Sequence, residues 1–278
     1  MICCRICACL HEDDSDVSKR NRSRPPVSAV GRSYAQRPAT TAVQSARLAH
    51  RPCNLKRPVL SPHVPLSRAA APHLSATGLA CRRGNRLLFK GLAFEVAGGE
   101  IVWLRGRNGR GKTSLLRLAA GLARPEDGEI LRDGVAASTS AVDRRFVFIG
   151  HANALKDDLS ATESLQFLLR LHGRPCSAAA VQSALDRMGL QGRRTAAVRT
   201  LSQGQRRRVA LARLAVEDEP SLWILDEPYD ALDADGIERL NDLLLAHAAR
   251  GGSVLLTSHL ALDTVRLRPR EIDLDRCA

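Results

Sequence analysis

The stretch GRNGRGKT, Gly106 to Thr113, fits the spacing G-x-x-x-x-G-K-[ST]. Each part has a chemical reason. The glycines Gly106, Gly109 and Gly111 let backbone amides, including those of Arg107, Asn108 and Arg110, curve around phosphate oxygens. Lys112 sets a cation on the β and γ phosphates, and the Thr113 hydroxyl can ligate Mg²⁺. A helix starting here, with Ser114 in its first turn, adds its dipole. This is expected to be a cradle for the phosphates of a nucleotide.

Three further clusters suit the same chemistry. In LWILDEP, four apolar residues make a buried strand, and Asp226 emerges at its C-terminal end, where α/β proteins bind ligands. Asp226 is expected to hold Mg²⁺ through water, and Glu227 to take a proton from attacking water. His259 follows SVLLTS at another strand end, where it can bond the γ-phosphate or orient that water. In LSQGQ, residues 201–205, Ser202 and Gln205 fit an S-x-x-Q capping box. The helix start, with Ser202, Gln203, Gly204 and Gln205, is a second anion site about 90 residues beyond the first.

The elements that must position these groups follow from periodicity and breakers. HLSATGLAC, LLFKGLAFEVAGGE, EIVWLRG, RRFVFIG, SLWILDEP and SVLLTS read as strands. KTSLLRLAAGL reads as a helix ended by Gly121 and Pro125. Further helices are expected over 161–172, 177–189, 203–217 and about 234–248, before a closing β segment. Alternation of strand and helix indicates an α/β fold with a mostly parallel sheet. The run from about 152 to 208, helical without strands, indicates an inserted helical subdomain.

Composition sets outer bounds. The 278 residues carry 44% hydrophobic but 3% aromatic residues, so the core must rest on Leu, Val, Ile and Ala. No apolar stretch reaches the ~18 residues of a membrane span. The net charge is +13, and residues 1–72 hold 12 Lys and Arg against 4 Asp and Glu. That segment is rich in Arg, Ser, Ala and Pro and shows no lasting period, so it is expected to be a disordered basic extension before a domain over 73–278. It holds one aromatic residue, Tyr34, which argues against a nucleic-acid groove. Its HEDDSD argues against a secretory signal, while an organellar transit peptide or a start assigned too far upstream stays open. Cys4 and Cys7 make half of a zinc pattern that no second pair completes.

The set of GRNGRGKT, LSQGQ, LWILDEP, ALD at 231–233 and a strand-end His resembles the ATP-binding subunit of ABC transporters over about 74–278. The resemblance implies a P-loop NTPase fold of ABC type and two copies facing head to tail. Each copy's LSQGQ then caps the γ-phosphate held by the opposite P-loop, and Asp233 crosses the interface. The family usually has Gln where this chain has His151, and an aromatic on adenine where this chain offers Arg82 or Arg83. A neutral His can do the Gln's work, with added pH sensitivity. These departures resemble the branch that serves c-type cytochrome biogenesis, whose signature more often reads LSAGQ, so Gln203 is a small deviation.

That branch implies ATP hydrolysis coupled to heme export, integral membrane heme-exporter subunits as partners, and a peripheral place at the cytoplasmic face of the inner membrane. No Cys-x-x-Cys-His occurs, so no heme site is expected on this chain. The rival readings are an ABC ATPase for another substrate and a soluble nucleic-acid-associated ABC ATPase. The second rival normally has paired cassettes or long coiled-coil insertions, and neither is found here.

Overall fold

The computed structural model describes residues 73–137 and 146–276. The extension over 1–72, with Cys4 and Cys7, lies outside the described residues.

The centre is a five-stranded parallel sheet. Its strands are β3 (Ile101–Arg105), β6 (Phe146–Ile149), β7 (Leu222–Leu225), β8 (Ser253–Thr257) and β9 (Arg270–Asp273), in the order β6-β7-β8-β3-β9. Trp223 on β7 pairs with Val147 on β6 and Val254 on β8, and Leu104 on β3 with Thr257 and Ile272. β7 and β8 are buried along their whole length, as strands covered on both faces must be.

The period of two divides those side chains between two apolar layers. Trp103, Trp223, Leu225, Val254 and Leu256 join one layer with Leu165, Leu185 and Leu244. Those three come from α2 (Ala161–Leu171), α3 (Ala178–Arg187) and α5 (Ala234–Ala249). Val102, Leu104, Ile224 and Leu255 join the other layer. It is completed by α1 (Lys112–Ala119) and by a second sheet, antiparallel, of β2 (Arg86–Val96), β1 (Leu74–Arg83), β4 (Asp127–Arg132) and β5 (Val135–Ala136).

Between β6 and β7 the chain is helical. It holds α2, α3, two single 3₁₀ turns and α4 (Gln203–Leu211). One isolated bridge, Ser160 to Ala197, ties the start of α2 to the loop before α4. The structure refines three expectations. The helix expected over 203–217 is α-helical to Leu211 and tightens to 3₁₀ over Ala212–Val216. β4 and β5 were not expected, because DGEILR opens on polar, exposed residues and shows no apolar period. A single turn, α6 (Thr264–Leu267), starts at an Asp263 cap too short to register as periodicity. Among the described residues no helix is long and apolar enough to cross a membrane.

Candidate active site

Parallel strands bring their C-terminal ends to one edge, and four of those ends carry the residues singled out above. Gly106–Thr113 follows β3, His151 follows β6, Asp226 and Glu227 follow β7, and His259 follows β8. A cleft of about 410 Å³ is lined there by Asn108, Lys112, Thr113, His151, Glu227 and His259.

The P-loop is shaped by its glycines and by the C-terminal segment. Gly111 caps α1 at φ 101°, and a Cβ there would sit 3.1 Å from Leu88 and 3.2 Å from Phe89. No side chain caps α1, so its first amides stay directed at a ligand. Lys112 Nζ reaches back to donate to the Gly106 carbonyl at 2.7 Å. Asp275 accepts from the Arg107 amide at 2.9 Å and pairs with Arg110 at 2.8 Å. The Arg110 side chain is therefore turned toward the C-terminal segment, and only its place in the loop serves the site.

Behind the P-loop lies a buried chain of hydrogen bonds. Thr257 Oγ1 donates to Asp226 Oδ1 at 3.0 Å and accepts from the Glu227 amide at 2.9 Å. The Thr113 hydroxyl donates to the same Asp226 oxygen at 3.3 Å. Glu227 Oε2 accepts from the His259 amide at 2.7 Å, and its Oε1 lies 3.4 Å from His259 Nε2. Asp226 and Glu227 are buried. Glu227 holds φ +50°, a left-handed conformation that a non-glycine residue adopts only when its neighbours fix it. A hydroxyl and a carboxylate converging beside the loop are the hard oxygen ligands that Mg²⁺ takes together with phosphates. Among the described residues no cluster of three His, Cys, Asp or Glu is placed to hold a metal ion.

The start of α4 carries the expected capping box. Ser202 Oγ accepts from the Gln205 amide at 3.2 Å, and Gln205 Oε1 accepts from the Ser202 amide at 3.1 Å. The amides of Gln203 and Gly204 have no preceding turn to bond to. A Cβ on Gly204 would meet the Ala231 carbonyl oxygen at 2.5 Å, so only glycine lets α4 lie on that loop. Asp233 caps α5 by accepting from the Gly236 amide at 3.0 Å, and it meets Arg208 at 3.3 Å. Neither Ser202–Gln205 nor Asp233 lines the cleft with the P-loop. The start of α4 and the cap of α5 therefore lie outside the P-loop cleft.

Sequence reasoning missed several neighbours. Asp230 lines the cleft and sits 3.5 Å from His151 Nδ1. Its spacing after Glu227 was the available signal. Arg83 lines the cleft, whereas Arg82 is bonded to Glu126 and to the Asn85 carbonyl, so Arg83 is the better placed of the two expected residues. Arg86, across the hairpin from Arg83, lines the cleft as well. Thr257, Asp275 and Arg207 act through backbone contacts that no motif marks.

A model of the ABC transporter family matches residues 89–230. The chain is 47% identical over 208 residues to the cytochrome c biogenesis ATP-binding export protein CcmA of Pseudomonas putida, covering 74% of this chain and 98% of that protein. It is 46% identical over 192 residues to the protein of the same name in Methylococcus capsulatus, covering 68% and 92%. Among solved structures, a putative ABC transporter ATP-binding protein from Pyrococcus furiosus superposes with a TM-score of 0.64 at 24% identity, covering 74% of this chain and 98% of that one.

Proposed function

The chain belongs to the ABC transporter family, in its cytochrome c biogenesis ATP-binding export branch, and on that premise we propose how it works. It binds and hydrolyses ATP, and two copies facing head to tail hold each nucleotide between them. Closure and reopening of the pair drive integral membrane subunits that export heme for c-type cytochromes. The chain sits at the cytoplasmic face of the inner membrane as a peripheral subunit. One observation carries the catalytic part: Thr113, Asp226, Glu227 and His259 share one connected set of hydrogen bonds beside a single P-loop.

The triphosphate lies along the amides of Gly106–Ser114, with Lys112 moving from the Gly106 carbonyl to the phosphates. Thr113 and Asp226 would hold Mg²⁺, which neutralises charge on the phosphate oxygens. Glu227 takes the proton of the attacking water, while His259 and His151 orient that water and the γ-phosphate. Ser202, Gln203, Gly204 and Gln205 of the second copy close over the γ-phosphate, and Asp233 crosses the interface. The free energy of two sandwiched nucleotides shifts the population from open to closed.

Glu227→Gln tests the base. The variant keeps the side chain's size and loses its basicity, so hydrolysis should fall about 10²- to 10⁴-fold. In cells lacking the native gene, the parent chain should restore c-type cytochromes with attached heme and Glu227→Gln should not. Parent-rate hydrolysis by the variant removes Glu227 from the role of base.

A further inference from the structure

Arg207 does not line the cleft, yet its guanidinium makes five hydrogen bonds beside it. The residue is 3% exposed. Nε donates to the Pro228 carbonyl at 3.3 Å. One terminal nitrogen donates to the Gly150 carbonyl at 3.0 Å and to Asn153 Oδ1 at 3.1 Å. The other donates to the carbonyls of Asp226 at 2.9 Å and Glu227 at 2.7 Å. Five acceptors thus meet the five N–H groups a guanidinium owns.

The acceptors fall on two segments with defined jobs. Gly150 and Asn153 flank His151 after β6, and Asp226, Glu227 and Pro228 follow β7. The guanidinium comes from a third element. Arg207 stands four residues after Gln203, where α4 begins, so about 6 Å of rigid helix separates it from the second anion site. Burial draws the guanidinium pKa below its usual value, while Asp230, Asp226 and Glu227 draw it back, and an arginine so placed stays charged.

Glu227 shows what this cation is placed to do. Its amide is held by Thr257, its carboxylate by the His259 amide and its carbonyl by Arg207 and, at 3.2 Å, by the Asp230 amide. The φ of +50° is strained for a residue with a side chain and persists only under such restraint. Without the guanidinium, the Glu227 carbonyl would keep only the longer bond from the Asp230 amide at 3.2 Å and the Asp226 carbonyl would lose its Arg207 donor, so the peptide that carries the carboxylate would be less firmly fixed.

We propose that Arg207 is a positioning residue that locks the backbone of Glu227 and of the His151 loop to α4, so that phosphate capture at the start of α4 is passed to the base of the same chain. The proposal rests on the two-copy reading above and adds a mechanical link within each copy.

The test measures MgATP hydrolysis by the full chain with Arg207→Met, Arg207→Lys and the double variant Arg207→Met/Glu227→Gln. A misplacement of about 1 Å at a reacting group costs about 10²-fold. Arg207→Met should therefore lose about 10²-fold in kcat with KM for ATP within about twofold of the parent. Arg207→Lys should recover part of that loss, because its ammonium reaches some of the five oxygens. The double variant should be no slower than Glu227→Gln alone, since both changes act through one carboxylate. A parent kcat in Arg207→Met, a loss confined to KM, or fully additive losses in the double variant would overturn the proposal. If Arg207→Met does not fold, Asn153→Ala decides. A several-fold drop in kcat at constant KM supports the link, and a parent kcat overturns it. Glu227→Gln is the separate control. Parent-rate hydrolysis there sinks the functional reading, whereas a slow Glu227→Gln beside a fast Arg207→Met sinks the Arg207 proposal alone.

Discussion

Residue by residue, the site is an arrangement of carboxylates kept in place by hydroxyls and amides. Thr257 is fully buried and serves two partners at once, accepting from Glu227 and donating to Asp226. Thr257→Val keeps the shape and removes both bonds. The Glu227 amide then loses its acceptor in a buried place, which costs about 1–3 kcal/mol. We expect a lower melting temperature by calorimetry and a fall in kcat larger than any change in KM. An unchanged melting temperature and kcat would show that other groups hold Asp226 and Glu227. The sequence made the acids, the P-loop and His259 legible because their types and spacing carry meaning. It left Thr257 and Arg207 silent, because what they do is fixed by which backbone groups they face, and those come from strands far apart in the chain.

Among the elements, α4 and α5 carry the constraints that matter most. Gly204→Ala would drive a Cβ to within 2.5 Å of the Ala231 carbonyl oxygen, so α4 or the 229–233 loop must move. We expect a stability loss of about 1–3 kcal/mol and reduced hydrolysis, read by denaturant titration and phosphate release. Parent stability would mean that the loop yields freely.

On the last turn of α5, His247 is fully buried. Its ring stacks on Trp223 at 3.7 Å, and its Nε2 donates to the Ser221 carbonyl at 2.8 Å. Burial lowers its pKa to about 4 from an ordinary 6.5, with Arg250 and His73 adding to the effect and the Ser221 bond opposing it. The unfolded chain therefore binds a proton that the folded chain refuses between about pH 6.5 and pH 4. Stability must fall as pH falls through that window, by on the order of 3 kcal/mol from this residue. His247→Phe should flatten that slope in urea titrations across the window, and an unaltered slope would remove His247 as its source.

At this scale β3, β6, β7 and β8 were legible because each is a short apolar run, whereas β9, Arg270–Asp273, is mostly charged and was expected only as a closing β segment. The antiparallel β4 and β5 were not, because β4 opens on polar, exposed residues and is ordered by pairing with β1, while β5 is two residues long and pairs only with β4.

At the scale of the whole molecule, the P-loop cleft leaves out the start of α4 and the cap of α5. The P-loop side holds Lys112, Thr113, Asp226, Glu227 and His259, while Ser202–Gln205 and Asp233 lie outside that cleft. On the proposed reading, such a chain completes its catalytic site with a second copy. The measurement that tests this most directly is the solution mass of Glu227→Gln, alone and with its membrane partners, at saturating MgATP. The account predicts a species of about twice 30.2 kDa that forms with ATP, returns to single chains when ATP is removed, and fails to form when Ser202→Arg is added. A protein that binds ATP fully and stays a single chain in both settings would contradict it.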